Sequence, residues 1–97
     1  MNLEGSRILV IGGAGFIGSH VVDALTKENV KEIVVYDNFC RGSLDNIREA
    51  LKDRRVKVYE VGGDICQTDI LNSAMKGIDC VFHLAALWLL LFFLWLL

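Results

Sequence analysis

Short, wholly apolar runs alternate along this chain with stretches whose apolar residues return every three or four positions. Ile8-Leu9-Val10-Ile11 has the continuous apolar character of a strand buried on both faces. A glycine cluster at 12–18 follows, and then Ile17, Val21, Ala24 and Leu25 recur at helical spacing up to a stop at Asn29. Ile33-Val34-Val35-Tyr36 predicts a second strand, closed by Asp37-Asn38. Ser43 can cap a helix whose apolar face is Leu44, Ile47 and Leu51. Residues 56–61 predict a third strand, and Lys57 and Glu60 within it suit a sheet edge. Thr68 can cap a short helix carrying Ile70, Leu71, Ala74 and Met75, with Gly77 at its stop, before a fourth apolar strand at 78–84.

Strictly alternating β-α-β-α-β-α-β elements with short connections imply parallel strands and right-handed crossovers. The expected architecture is α/β, a partial Rossmann or doubly wound sheet of about four strands in order 3-2-1-4 with three helices. That order puts the charge-bearing third strand at an edge. Ten Lys+Arg against twelve Asp+Glu give a net charge of −2, and without a basic run the chain carries no footprint for nucleic acid. Cys40, Cys66 and Cys80 form no C-x-x-C and cannot all pair, and no secretory n-region and h-region opens the chain. Reduced thiols in a cytoplasmic setting are therefore expected. His20 and His83 lack metal-site spacing, so no metal is expected.

Candidate chemistry sits between the first strand and first helix, in Gly12-Gly13-Ala14-Gly15-Phe16-Ile17-Gly18. Phosphate needs backbone N–H groups at a helix N-terminus and no side chain in its approach. The run fits G-x-G-x-x-G through Gly13, Gly15 and Gly18, and G-x-x-G-x-x-G through Gly12, Gly15 and Gly18. Asp37 ends the second strand nineteen residues after Gly18, where a carboxylate can bind an adenosine ribose. Each feature alone has a plainer reading as turn chemistry; strand, glycines, helix, strand and acid together point to a dinucleotide. No G-K-[S/T] follows, which excludes a GTPase or kinase loop.

Gly-Gly-Ala-Gly-Phe-Ile-Gly-Ser-His at 12–20, Tyr36-Asp37-Asn38-Phe39, Arg41-Gly42-Ser43, Gly63-Asp64-Ile65 and Phe82-His83-Leu84-Ala85-Ala86 occur in this order. In them the chain resembles the extended short-chain dehydrogenase/reductases of the NAD-dependent epimerase/dehydratase type, which include UDP-glucose 4-epimerases. The resemblance covers residues 7 to about 90 and selects the Gly12/Gly15/Gly18 reading. It implies that Phe16 and Ile17 cover the pyrophosphate with their backbone, and that Asp37 and Asn38 hold the adenosine ribose. It further implies that Asp64 and Ile65 flank the adenine, and that Leu84, Ala85 and Ala86 line the cofactor toward the nicotinamide. Asp37 would repel a 2′-phosphate that Arg41 could otherwise accept, so NAD is favoured over NADP. His83, closing a buried strand, reads as a hydrogen-bonded structural residue; His20 reads as solvent-facing or packing.

The family's chemistry rests on a Ser/Thr and a Tyr-x-x-x-Lys pair beyond the fourth strand. The only tyrosines here are Tyr36 and Tyr59, and neither has a lysine four residues on. The chain is expected to be a cofactor-binding fragment, inactive alone, whose full-length relative passes a hydride between NAD and a UDP-sugar hydroxyl. Residues 1–86 would form the NAD-binding half and 87–97 an atypical apolar tail. Residues 84–97 carry no polar side chain and span about 21 Å as a helix, short of the roughly 30 Å of hydrocarbon. A truncated or frameshifted product best fits such an end. The alternative is a non-catalytic nucleotide-binding module whose tail docks a membrane, a protein or another copy of itself.

Overall fold

The four apolar runs build one parallel sheet in the computed structural model, which describes residues 3–37, 43–59 and 68–84. Strands β1 (Arg7–Ile11), β2 (Glu32–Tyr36), β3 (Val56–Tyr59) and β4 (Cys80–His83) lie in the order β3-β2-β1-β4. Ile8 pairs with Ile33 on one side and Cys80 on the other, and Ile33 pairs in turn with Val56. The expected strand order is thus the observed one, with the exposed Lys57 on an outer strand. Glu60 and Val61 of the expected third strand lie outside the described residues.

Alternate side chains of β1 and β2 feed two separate cores, as a period of two requires. Ile8, Val10, Ile33 and Val35 face helix α1 (Phe16–Thr26), where they pack with Val22, Leu25, Ile47 and Ala50. Leu9, Ile11, Val34 and Tyr36 face helix α2 (Thr68–Ala74) and pack with Ala74, Ile70 and Leu71. Tyr36 is fully buried and stacks on Tyr59, with ring centroids 5.8 Å apart.

Three expectations about the helices need correction. The buried stripe of α1 is Gly18, Ser19, Val22 and Leu25; Leu25 is buried and Val21 packs half-buried against the core as expected, whereas Ile17 and Ala24 are exposed. Small residues let the helix lie close to the strands, and buried Ser19 satisfies its hydroxyl on the Phe16 carbonyl at 2.8 Å. Between β2 and β3 the chain forms two 3-10 turns, Leu44–Ile47 and Ala50–Lys52, in place of an α-helix. Ser43 does cap the first, its Oγ accepting from the Asp45 N–H. Three residues per turn put Ile47 and Ala50 on one side, so these are buried while Leu44 and Leu51 are exposed. In the third case Met75 lies beyond the end of α2 and is exposed, and Gly77 follows with φ +73°.

Arg55 joins the start of β3 to the end of α1. Its guanidinium donates to the carbonyls of Thr26 at 2.6 Å, Glu28 at 2.7 Å and Val30 at 3.2 Å, which the chain leaves without helical partners. Asp53 holds that fork in place through both carboxylate oxygens and also accepts the Arg55 backbone N–H. These hydrogen bonds, side chain first and backbone second, lower the Asp53 carboxyl from 3.8 to about 2. The same pairing raises Arg55.

Candidate functional site

At the end of β1 the chain must leave the sheet and start a helix within five residues. Gly12 makes the turn with φ +82°, a conformation costly for any residue with a Cβ, and its N–H donates to the Tyr36 carbonyl at 2.8 Å. Gly18, one turn into α1, lies against this turn: an added Cβ would be 2.8 Å from both the Gly12 carbonyl carbon and the Gly13 Cα. The missing Cβ of Gly13 faces Val10 and Val35 of the core. Gly12 through its φ, and Gly13 and Gly18 through contacts closer than 3.0 Å, are thus the glycines that the loop and its core packing demand.

Gly15 differs. It is the extended residue before α1, with φ −75°, and among the described residues an added Cβ would meet only the Gly12 oxygen, at an ordinary 3.4 Å. As the N-cap residue, Gly15 has no side chain with which to cap the helix. The first-turn N–H groups of Phe16, Ile17 and Gly18 have no carbonyl one turn earlier within the helix, and they carry the positive end of its dipole. Phe16 is 75% exposed, its ring edge-on to the exposed His20 at 5.0 Å.

Asp37, just past β2, is 7% exposed, and its Oδ2 accepts the Ala14 N–H at 3.0 Å. The carboxylate thereby ties the glycine loop to the neighbouring strand, a role that the sequence pattern did not reveal. The Ala14 carbonyl is held from the other side, by the Ser43 N–H at 3.1 Å and Asn46 Nδ2 at 2.8 Å. Ala14 and Asn46 escaped sequence reasoning. Their contact joins residues thirty-two positions apart, and no local periodicity signals it. Leu84, half-buried, donates its N–H to the Ile11 carbonyl at 2.9 Å, which brings the exit of β4 beside the entrance of the loop.

Gly12, Gly15, Phe16, Ile17, Gly18, Asp37 and Leu84 therefore gather at the carboxyl ends of β1, β2 and β4. Strand β1 has β2 on one side and β4 on the other, so the loop stands where the strand order reverses. Open α/β sheets bind ligands at such a point. Asn38, Asp64, Ile65, Ala85 and Ala86, and Arg41 with them, lie outside the described residues. His83 is exposed on β4 and makes no side-chain hydrogen bond among the described residues, contrary to the structural role expected of it. Those residues also contain no group of three His, Cys, Asp or Glu able to hold a metal ion, and no helix long and apolar enough to cross a membrane.

The chain belongs to the 3-beta hydroxysteroid dehydrogenase/isomerase family, whose model matches residues 9–91. It is 38% identical over 79 residues to UDP-glucuronic acid decarboxylase 6 of Arabidopsis thaliana, covering 81% of this chain and 21% of that protein. It is 42% identical over 84 residues to UDP-glucose 4-epimerase of Pasteurella multocida (strain Pm70), covering 82% and 24%. Among solved structures, UDP-glucuronic acid 4-epimerase from Bacillus cereus in complex with UDP-glucuronic acid and NAD superposes with a TM-score of 0.68 at 35% identity. That match covers 80% of this chain and 26% of the other. The chain thus spans about a quarter of the length of these relatives, at their N-terminal part.

Proposed function

We propose that this chain, as a member of that family, is the NAD-binding N-terminal part of a nucleotide-sugar epimerase/dehydratase, and that it binds the cofactor without turning over a sugar. The observation that carries this reading is Gly15. Among the described residues there is room for a side chain there, so its absence fits something that approaches from outside, at a helix N-terminus beside a buried carboxylate. A pyrophosphate over the open Gly15 Cα, against the Phe16 and Ile17 amides, and a ribose near Asp37 fit that cradle. Leu84 would line the cofactor farther on, with Asn38, Asp64, Ile65, Ala85 and Ala86 in the roles that the family pattern suggests. NAD, when bound, would supply the acceptor for a hydride from the carbon that bears a sugar hydroxyl.

The carboxylate of Asp37 favours a free ribose hydroxyl over a 2′-phosphate, hence NAD over NADP. The chain's own residues supply binding and orientation; a proton acceptor of the Tyr-x-x-x-Lys kind is not among them. The alternative, a non-catalytic module docking through its apolar tail, draws no support from the relatives, which are nucleotide-sugar enzymes. The test is a calorimetric titration with NAD, ADP-ribose and NADP, followed by incubation with UDP-glucose and NAD. Similar modest affinities for NAD and ADP-ribose, weaker NADP and no epimerisation are expected. Loss of saturable NAD binding, or turnover by the purified chain, would contradict the reading.

A further inference from the structure

We propose that Asn46 is a positioning residue for the phosphate-facing loop, setting the Ala14–Gly15 peptide from which the first-turn amides of α1 follow. The inference rests on the cofactor reading above and adds to it the device that orients the cradle. The Ala14 carbonyl and the Gly15 N–H belong to one planar peptide, so a bond to either group fixes both. Asn46 Nδ2 and the Ser43 N–H converge on that carbonyl at 2.8 and 3.1 Å, while the Gly15 N–H reaches back to the Gly12 oxygen at 3.2 Å. Asp37 takes the N–H of the preceding peptide.

The donor pair is built locally. Ser43 Oγ accepts from the Asp45 N–H and the Ser43 carbonyl from the Asn46 N–H, so residues 43–46 form a closed turn that presents two donors to one acceptor. Asn46 is otherwise exposed, and the buried side chain of this turn is Ile47. Its amide is therefore not needed to fill the core. An aspartate at 46 would set a carboxylate oxygen against the Ala14 carbonyl.

The experiment compares the full chain with Asn46→Ala and Asn46→Asp, using ADP-ribose and adenosine as NMR probes and measuring amide hydrogen exchange without ligand. Asn46→Ala should weaken ADP-ribose about three- to tenfold and Asn46→Asp more, with adenosine changed less than about twofold. Exchange at Ser43 and Ala14 should quicken about tenfold relative to Val10 and Val35. Equal losses for the two probes would make Asn46 merely structural and overturn the proposal, as would unchanged exchange at Ser43 and Ala14. A parent chain that binds neither probe would overturn the cofactor reading, and the phosphate role of Asn46 with it, whatever the exchange result. Parent binding with no effect of either variant would sink Asn46 alone.

Discussion

Gly15→Ala and Gly18→Ala should separate binding from folding, although both place a methyl group in the same loop. At Gly18 the new Cβ would overlap the Gly12 carbonyl oxygen and stand 2.8 Å from two further backbone atoms. None of these is the end of a flexible side chain, so α1 must move off β1. Overpacking of this kind costs about 1–3 kcal/mol, and at about 4–8 °C per kcal/mol for a domain of this size the melting temperature should fall by about 5–20 °C. At Gly15 the methyl meets, among the described residues, only one oxygen at 3.4 Å, with a backbone at φ −75° and ψ 176° that alanine accepts. Losing glycine before the helix costs up to about 1 kcal/mol, and the stiffer unfolded chain returns about 0.4–1 kcal/mol. The two nearly cancel, and Tm should shift by only a few degrees. Binding reverses the order of the variants: the Gly15 methyl would stand where the pyrophosphate approaches, and NAD should weaken at least tenfold, about 1.4 kcal/mol. Thermal melts and calorimetry on the two variants read both quantities. A Gly15→Ala chain that keeps full NAD affinity would refute the argument, because the open side of the loop would then not be where phosphate sits.

Asp37→Asn keeps an acceptor for the Ala14 N–H, whereas Asp37→Ala strands it. Both should weaken NAD by about ten- to a hundredfold and NADP less, but only the alanine variant should lose about a further 1–3 kcal/mol of stability in a denaturant melt. The Asp53 carboxyl, held at about 2, adds stability that is complete above its unfolded value of 3.8 and disappears as the pH falls through 2. Asp53→Asn should therefore narrow the stability difference between pH 5 and pH 2, and an unchanged pH profile would mean that the Arg55 fork is not formed. Ile47→Ala should cost about 2–5 kcal/mol while Leu44→Ala and Leu51→Ala stay within about 0.5 kcal/mol, because only Ile47 is buried; equal costs in urea melts would restore an amphipathic helix there.

Strand identity, strand order and the glycine loop were legible because their causes are local or combinatorial. Continuous apolar runs suit parallel strands covered on both faces. Crossover handedness leaves few orders for four such strands. A glycine with φ +82° announces itself by being glycine. Legibility failed where several answers share one pattern. Leu44, Ile47 and Leu51 fit an α-helical face, yet the 3-10 turns bury Ile47 with Ala50, because Ser43 and Asn46 hold that segment to Ala14. Ile17 and Ala24 fit the inner face of α1, yet close packing of Gly18 on Gly12 rotates the helix toward Ser19 and Val22. Asp37 could be read from its place after a strand, but its bond to the Ala14 amide could not. Periodicity encodes which side of an element is apolar. The partners of a single polar group, and the last few tens of degrees of a helix's rotation, depend on contacts between residues far apart in the chain, and only the folded packing supplies those.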